Sequence, residues 1–177
     1  MPSVEQHGNR RWLGIFLLIA AFVVIIDQIS KLWIRTNLDL NEIIPIVDRL
    51  SLTYIHNTGS AFGLFAGQSF LLALISFVGL IAIMWFHHYL YLTDIWGNLA
   101  LGLVFGGAIG NLIDRLRFGR VTDFIYVRLW YDSSGLPVYW PTFNFADSAI
   151  TAGCIALICY LIFAFKKVNV HPGGNKS

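Results

Sequence analysis

Along the chain, apolar and polar positions alternate between four long apolar runs and two mixed connections. Trp12 to Ile34, Ser69 to Phe86, Asn98 to Leu116 and Phe145 to Phe165 are nearly free of charge. As helices rising ~1.5 Å per residue, each is long enough to cross ~30 Å of hydrocarbon. The connections over 35–68 and 117–144 have a different period. Leu50 to Asn57 alternates apolar and polar positions and is rich in β-formers, as does Val121 to Val127, so the two predict a pair of strands. Asp132-Ser-Ser-Gly135 signals a turn, and Pro137 and Pro141 argue against helix before the fourth run. The pattern predicts an all-α integral membrane protein of four transmembrane helices carrying a small extracytoplasmic sheet. The whole, 1–177, reads as a single membrane-embedded domain with a frayed tail from Pro172.

Composition changes the picture only by sharpening it. The 177 residues are 56% hydrophobic and 12% charged, and a soluble domain carries roughly twice that charged share. The apolar surplus is surface meant for lipid. Trp12 to Ile26 follows Arg10 and Arg11 as a signal peptide would, but no small-x-small cleavage site follows, so it reads as an uncleaved first span. A net charge of +2, with no basic cluster interleaved with aromatics, gives no reason to expect nucleic acid. Cys154 and Cys159, five apart in one run, point to different helix faces and read as inert small hydrophobes. No metal and no cofactor is expected: His87 and His88 lack companions at ligand spacing and read as solvated loop residues.

Orientation follows from the flanks. Four crossings put both termini on one side, and Arg10, Arg11, Lys166, Lys167 and Lys176 assign that side to the cytoplasm. Lys31, Arg35, Arg49, Arg115, Arg117, Arg120 and Arg128 then lie outside, against the insertion bias, and call for partners or a task. Arg117 and Arg120 read as snorkelling to headgroups.

Polar residues that are costly in a bilayer gather at the outer end. These are Asp27 and Lys31 on the first span, Asn111, Asp114 and Arg115 on the third, and Asn144, Asp147 and Ser148 at the start of the fourth. Asn57 and Asp123 join them from the connections. Several such groups at one depth imply a shared polar pocket. Gly107, Asn111, Asp114 and Arg115 fall on one face of the third span, and Asn144, Asp147, Ser148 and Thr151 form a similar stripe on the fourth. Gly102, Gly106 and Gly110 allow close helix approach, which predicts that the third and fourth spans face each other. Plainer readings stand beside these. Asp27 with Lys31, and Asp114 with Arg115, also read as structural ion pairs. Asn57 also reads as a turn residue, Asp147 as a helix-start acid and Asp123 as an exposed strand acid.

Two carboxylates held a few ångströms apart share one proton near neutrality, a state that can activate water and polarise a carbonyl without a metal. Serine chemistry fares worse, because His56 and Ser60 lie in an extended stretch that does not bring them together. A transporter would carry polar residues along a route across the membrane, whereas these stop at one end. A non-catalytic subunit with structural ion pairs remains the other alternative; replacing the acids would then lower stability before activity.

Five segments in order carry a resemblance: Asp27-Gln28-Ile-Ser-Lys31, Asn57-Thr-Gly-Ser-Ala-Phe62, Gly106-Gly-Ala-Ile-Gly-Asn-Leu-Ile-Asp-Arg115, Val121-Thr-Asp-Phe124 and Phe143-Asn-Phe-Ala-Asp147. With them the chain resembles the bacterial lipoprotein signal peptidases (type II signal peptidases) from about Trp12 to Phe165. The resemblance implies an aspartyl endopeptidase that cuts prolipoproteins before a diacylglyceryl-modified cysteine, with Asp123 and Asp147 as the dyad. It implies that Asn57, Asn111, Arg115 and Asn144 line the site, and that Asp27, Lys31 and Asp114 support it. It further implies an extracytoplasmic β-cradle, a mobile segment between the third and fourth spans, a place in the inner membrane facing outward, lipid and prolipoprotein as partners, and inhibition by globomycin. Trp130, Tyr131, Tyr139 and Trp140 would form an interfacial belt over such a site.

Overall fold

The computed structural model describes residues 3–59, 65, 67–90 and 94–169. The frayed tail expected from Pro172, and Ser60 to Phe62 of the second motif, lie outside the described residues.

Four helices form where the apolar runs stand: α1 (Ser3–Asn37), α2 (Ser69–Leu90), α3 (Ile95–Phe118) and α4 (Phe145–Asn169). All four are long and apolar enough to cross a membrane, and the protein is an integral membrane protein. Their outward faces carry the apolar residues that lipid would solvate, among them Leu18, Phe70 and Phe163. The central helix is α3. Half of its span is buried, against 22%, 17% and 11% for α1, α2 and α4, and it packs on all three.

Lipid tails are as apolar as leucine, so burial alone does not drive these helices together; close packing of small residues must contribute. A Cβ on Gly106 would stand 2.6 Å from the Ala20 carbonyl of α1, and one on Gly107 would stand 2.5 Å from the Ala146 carbonyl of α4. Gly102 and Gly106 of the stripe meet α1, Gly110 stands between Asp27 of α1 and Ala146 of α4, and Gly107 admits α4, so the third and fourth spans face each other as the spacing predicts. Asp94 caps the start of α3 by accepting from the Trp96 and Gly97 amides at 2.9 Å. Gly119, at φ +67°, closes its end by donating to the Arg115 carbonyl.

Strands β1 (Ile43–Val47), β2 (Leu50–Asn57), β3 (Val121–Tyr131) and β4 (Pro137–Tyr139) form one antiparallel sheet in that order. Both expected strands pair with each other, and the Asp132–Gly135 turn links β3 to β4, closed by Gly135 donating to the Asp132 carbonyl. The sheet is seated on the end of α1 by Ile34, Leu38 and Phe124, with Ile44, Leu52 and Tyr54 around them.

The opposite end of the bundle differs from the sequence expectation in two ways. Helix α2 continues through His87 and His88, and His87 is buried rather than solvated, with Nε2 2.9 Å from Asn98 Oδ1 and its ring 4.6 Å from that of Phe16. Asn98 donates to the Asp94 carbonyl, and the Tyr160 hydroxyl donates to Asp94 at 2.6 Å. That end, expected to hold nothing comparable to the polar pocket, has a small polar cluster of its own joining α2, α3 and α4.

Candidate active site

The site is assembled where β3 meets the start of α4. Phe143 bridges Ile125, and its carbonyl accepts the amides of Phe124 and Ile125 at 3.0 and 2.8 Å. That attachment brings Asn144, the residue before α4, beside Asp123 on β3. Asn144 Nδ2 donates to Asp123 Oδ1 at 2.7 Å. Its Oδ1 accepts the Asp147 amide at 3.0 Å while its own amide donates to Asp147 Oδ2 at 3.2 Å, a reciprocal cap on α4. One asparagine thus holds both carboxyl groups.

The other oxygens are held in the same manner. Asn57 Nδ2 donates to Asp123 Oδ2 at 2.8 Å, and Asn111 Nδ2 donates to Asp147 Oδ1 at 2.8 Å. All three amides are oriented by groups that can only donate. The Lys31 ammonium binds Asn111 Oδ1 at 2.9 Å, the Gly59 amide binds Asn57 Oδ1 at 2.9 Å, and the Asp147 amide binds Asn144 Oδ1. Each asparagine must therefore turn its N–H toward a carboxylate.

Behind this layer lies a buried ionic cluster. Asp27, Lys31 and Asp114 are fully buried. Lys31 pairs with Asp27 at 2.8 Å and Asp114 at 3.5 Å. Asp27 also accepts the Ala146 amide in the first turn of α4 at 3.0 Å, so an α1 carboxylate braces the helix that carries Asp147. Asp27 and Lys31 are thus an ion pair, and each also bonds a group next to Asp147: Asp27 the Ala146 amide and Lys31 the Asn111 side chain. Asp114 turns away from its sequence neighbour Arg115 and instead meets Lys31, Arg35 and the Thr122 amide. Gln28, Arg35 and Thr122 carry connections that sequence reasoning did not assign: Gln28 donates to Asp27, Asp114 and the Gly110 carbonyl, and Arg35 to Thr122 Oγ1 at 3.0 Å. A glutamine inside a span next to an aspartate was the available signal for the first.

Asp123 and Asp147 both open on one cavity of about 650 Å³, with Asn57, Asn111 and Arg115 at its polar end. Ile150, Ala152 and Ile155 of α4, with Trp140 from the connection before it, line its apolar side. Arg115 reaches the Gly59 carbonyl at 3.3 Å. Burial, reinforced by the nearby Asp147 charge, raises the Asp123 carboxyl from its ordinary 3.8 to about 7 despite the Asn57 and Asn144 hydrogen bonds. Among the described residues no group of three His, Cys, Asp or Glu is placed to hold a metal ion. Of the cations at this end of the bundle, Lys31, Arg35 and Arg128 each have a carboxylate partner, Arg128 on Asp48 at 2.6 Å. Trp130, Tyr131 and Trp140 are exposed, while Tyr139 stacks on Tyr126 at 4.0 Å.

The family model for signal peptidase (SPase) II matches residues 19–163. A lipoprotein signal peptidase of Moorella thermoacetica is 43% identical over 148 residues, covering 83% of this chain and 92% of its own. One from Pseudomonas aeruginosa is 40% identical over 163 residues, covering 89% and 90%. Among solved structures, a bacterial membrane enzyme determined by the in meso method at 2.3 Å superposes with a TM-score of 0.79 at 33% identity, over 92% of this chain and 95% of that one. A second, at 1.9 Å, gives 0.72 at 35% identity, over 84% and 92%.

Proposed function

The chain belongs to the signal peptidase II family, and on that premise we propose that it removes signal peptides from prolipoproteins by aspartyl chemistry at Asp123 and Asp147. The observation that carries the reading is Asn144, which bonds to both carboxyl groups and leaves both open to one cavity.

With one proton on the pair, the ionised carboxylate takes a proton from water as its oxygen attacks the scissile carbonyl carbon. The protonated member gives its proton to the carbonyl oxygen, leaving a gem-diol. Collapse breaks the C–N bond; the leaving nitrogen takes the proton held by the base, and the gem-diol hydroxyl returns one to its partner. No covalent intermediate forms. Arg115 and Asn57, at the polar end of the cavity, are suited to hold the peptide backbone. The apolar side along α4 suits the diacylglyceryl chains of a modified cysteine, whose scissile bond then sits at the depth of the acids. In this reading the sheet faces outward from the bacterial inner membrane, both termini are cytoplasmic, and globomycin competes for the cavity.

Purified protein should shorten a diacylglyceryl-modified prolipoprotein on a gel, and globomycin should prevent it. Asp123→Asn and Asp147→Asn should each lower turnover by about 10²–10⁴-fold while the protein still inserts. Turnover retained by either variant removes that residue from the dyad.

A further inference from the structure

The two acids share a site but not a setting. Asp147 sits in the first turn of α4, where the helix dipole favours a negative charge, and it accepts the Asn144 amide. Its other oxygen receives Asn111, whose carbonyl oxygen is occupied by the Lys31 ammonium at 2.9 Å. The amide is polarised by that cation, and its N–H is a stronger donor for it. Asp123 lies on a strand, is 2% exposed, and receives only neutral side-chain amides whose far ends are bound to backbone N–H groups.

The charges around the pair are Lys31, Asp27 and Arg35 from α1 and Asp114 and Arg115 from α3. Three cations balance the two supporting carboxylates and one further anion, so the cluster is neutral when the dyad holds a single proton. Of the two places for that proton, the cation-linked helix start is the worse.

We propose that Lys31, acting through Asn111, fixes Asp147 as the ionised base and leaves Asp123 to carry the proton that polarises the scissile carbonyl. The assignment rests on the dyad reading above and adds to it a positioning role for Lys31 that reaches the reacting atoms through one amide. The high proton affinity of Asp123 is consistent with it.

The test is the pH profile of kcat/KM for prolipoprotein cleavage in wild type, Asn111→Leu, Lys31→Met and the double variant. Asn111→Leu keeps Lys31 on Asp27 and Asp114, so the buried ammonium stays paired. Breaking the relay should move the acid limb of the bell, which reports the first ionisation of the pair, upward by about one pH unit. The alkaline limb should move less. Lys31→Met should shift the acid limb the same way, and the double variant should add little to either single change, as groups in one chain do. If Lys31→Met does not fold, Asn111→Leu decides alone. An acid limb that stays in place in folded Asn111→Leu, or a shift confined to the alkaline limb, overturns the assignment. Infrared difference spectra at about pH 5, where burial alone still favours the protonated form of Asp123, give a second reading: Asp123→Asn should remove more of the protonated-carboxyl band than Asp147→Asn does, and the reverse pattern also overturns it. Failure of the dyad itself looks different, since both Asp→Asn variants would then keep cleaving.

Discussion

Asn57, Asn111 and Asn144 each have the carbonyl side of their amide claimed by a donor that cannot accept, which removes the freedom an asparagine ordinarily has to turn round. The acids are therefore held by three rigid N–H groups, and Asp123 is held where its charge is disfavoured. That has a price in stability with a definite sign. The folded protein keeps a proton on Asp123 up to about pH 7, whereas the unfolded chain releases it near 3.8. Stability from this group is complete below about 3.8 and is lost as pH rises through 7, by at most about 4 kcal/mol. Asp123→Asn should accordingly raise the thermal midpoint at pH 8 and change it little at pH 4; equal shifts at both values would contradict the burial argument. At this scale the sequence was legible in its list of polar residues but not in their pairing. Asp114 and Arg115 are adjacent, and adjacent residues on a helix diverge by about 100°, so they cannot face each other. Asp114 reaches α1 instead.

Among the elements, α3 is built to be approached from two sides. Gly106 and Gly110 admit α1, and Gly107 admits α4 at the turn that bears Asp147. Gly107→Ala would press a methyl group against the Ala146 carbonyl one residue before that acid. A displacement of about 1 Å at a reacting group can cost 10²-fold, so Gly107→Ala should lose prolipoprotein cleavage by about that factor. Gly79→Ala, with open space around it, should keep full activity. The spacing of the glycines announced close contact, yet a G-x-x-x-G step does not name its partner, because any helix with a flat face satisfies it. Strands were easier to read: 50–57 and 121–127 pair as their β-rich composition suggests, although Val121 to Phe124 are buried on both faces rather than alternately. The bridge from Phe143 to Ile125, which delivers Asn144 to Asp123, has no local signature at all.

For the whole molecule, the four spans and their joint polar end were visible in the sequence because lipid leaves few ways to bury charge. The His87, Asn98, Asp94 and Tyr160 cluster at the other end was not, since it is made by residues from three helices that meet only after folding. The outward orientation of the sheet is checked by replacing Cys154 and Cys159 with serine and introducing Ser134→Cys in the exposed β3–β4 turn. An impermeant maleimide should label Ser134→Cys in intact cells; labelling only after lysis would reverse the topology. The Asp27–Lys31 pair has a further consequence for how the protein is made. Ribosomes deliver the first helix long before the third exists, and a lone ion at that depth costs at least a few kcal/mol. Because its counter-ion is one turn away on the same helix, this segment can enter the bilayer as a self-neutralised unit and trade partners later. In a translocon insertion assay of the first span alone, wild type should insert at least as efficiently as Lys31→Met, although it carries one charge more; better insertion of Lys31→Met would show that the pair forms only after assembly.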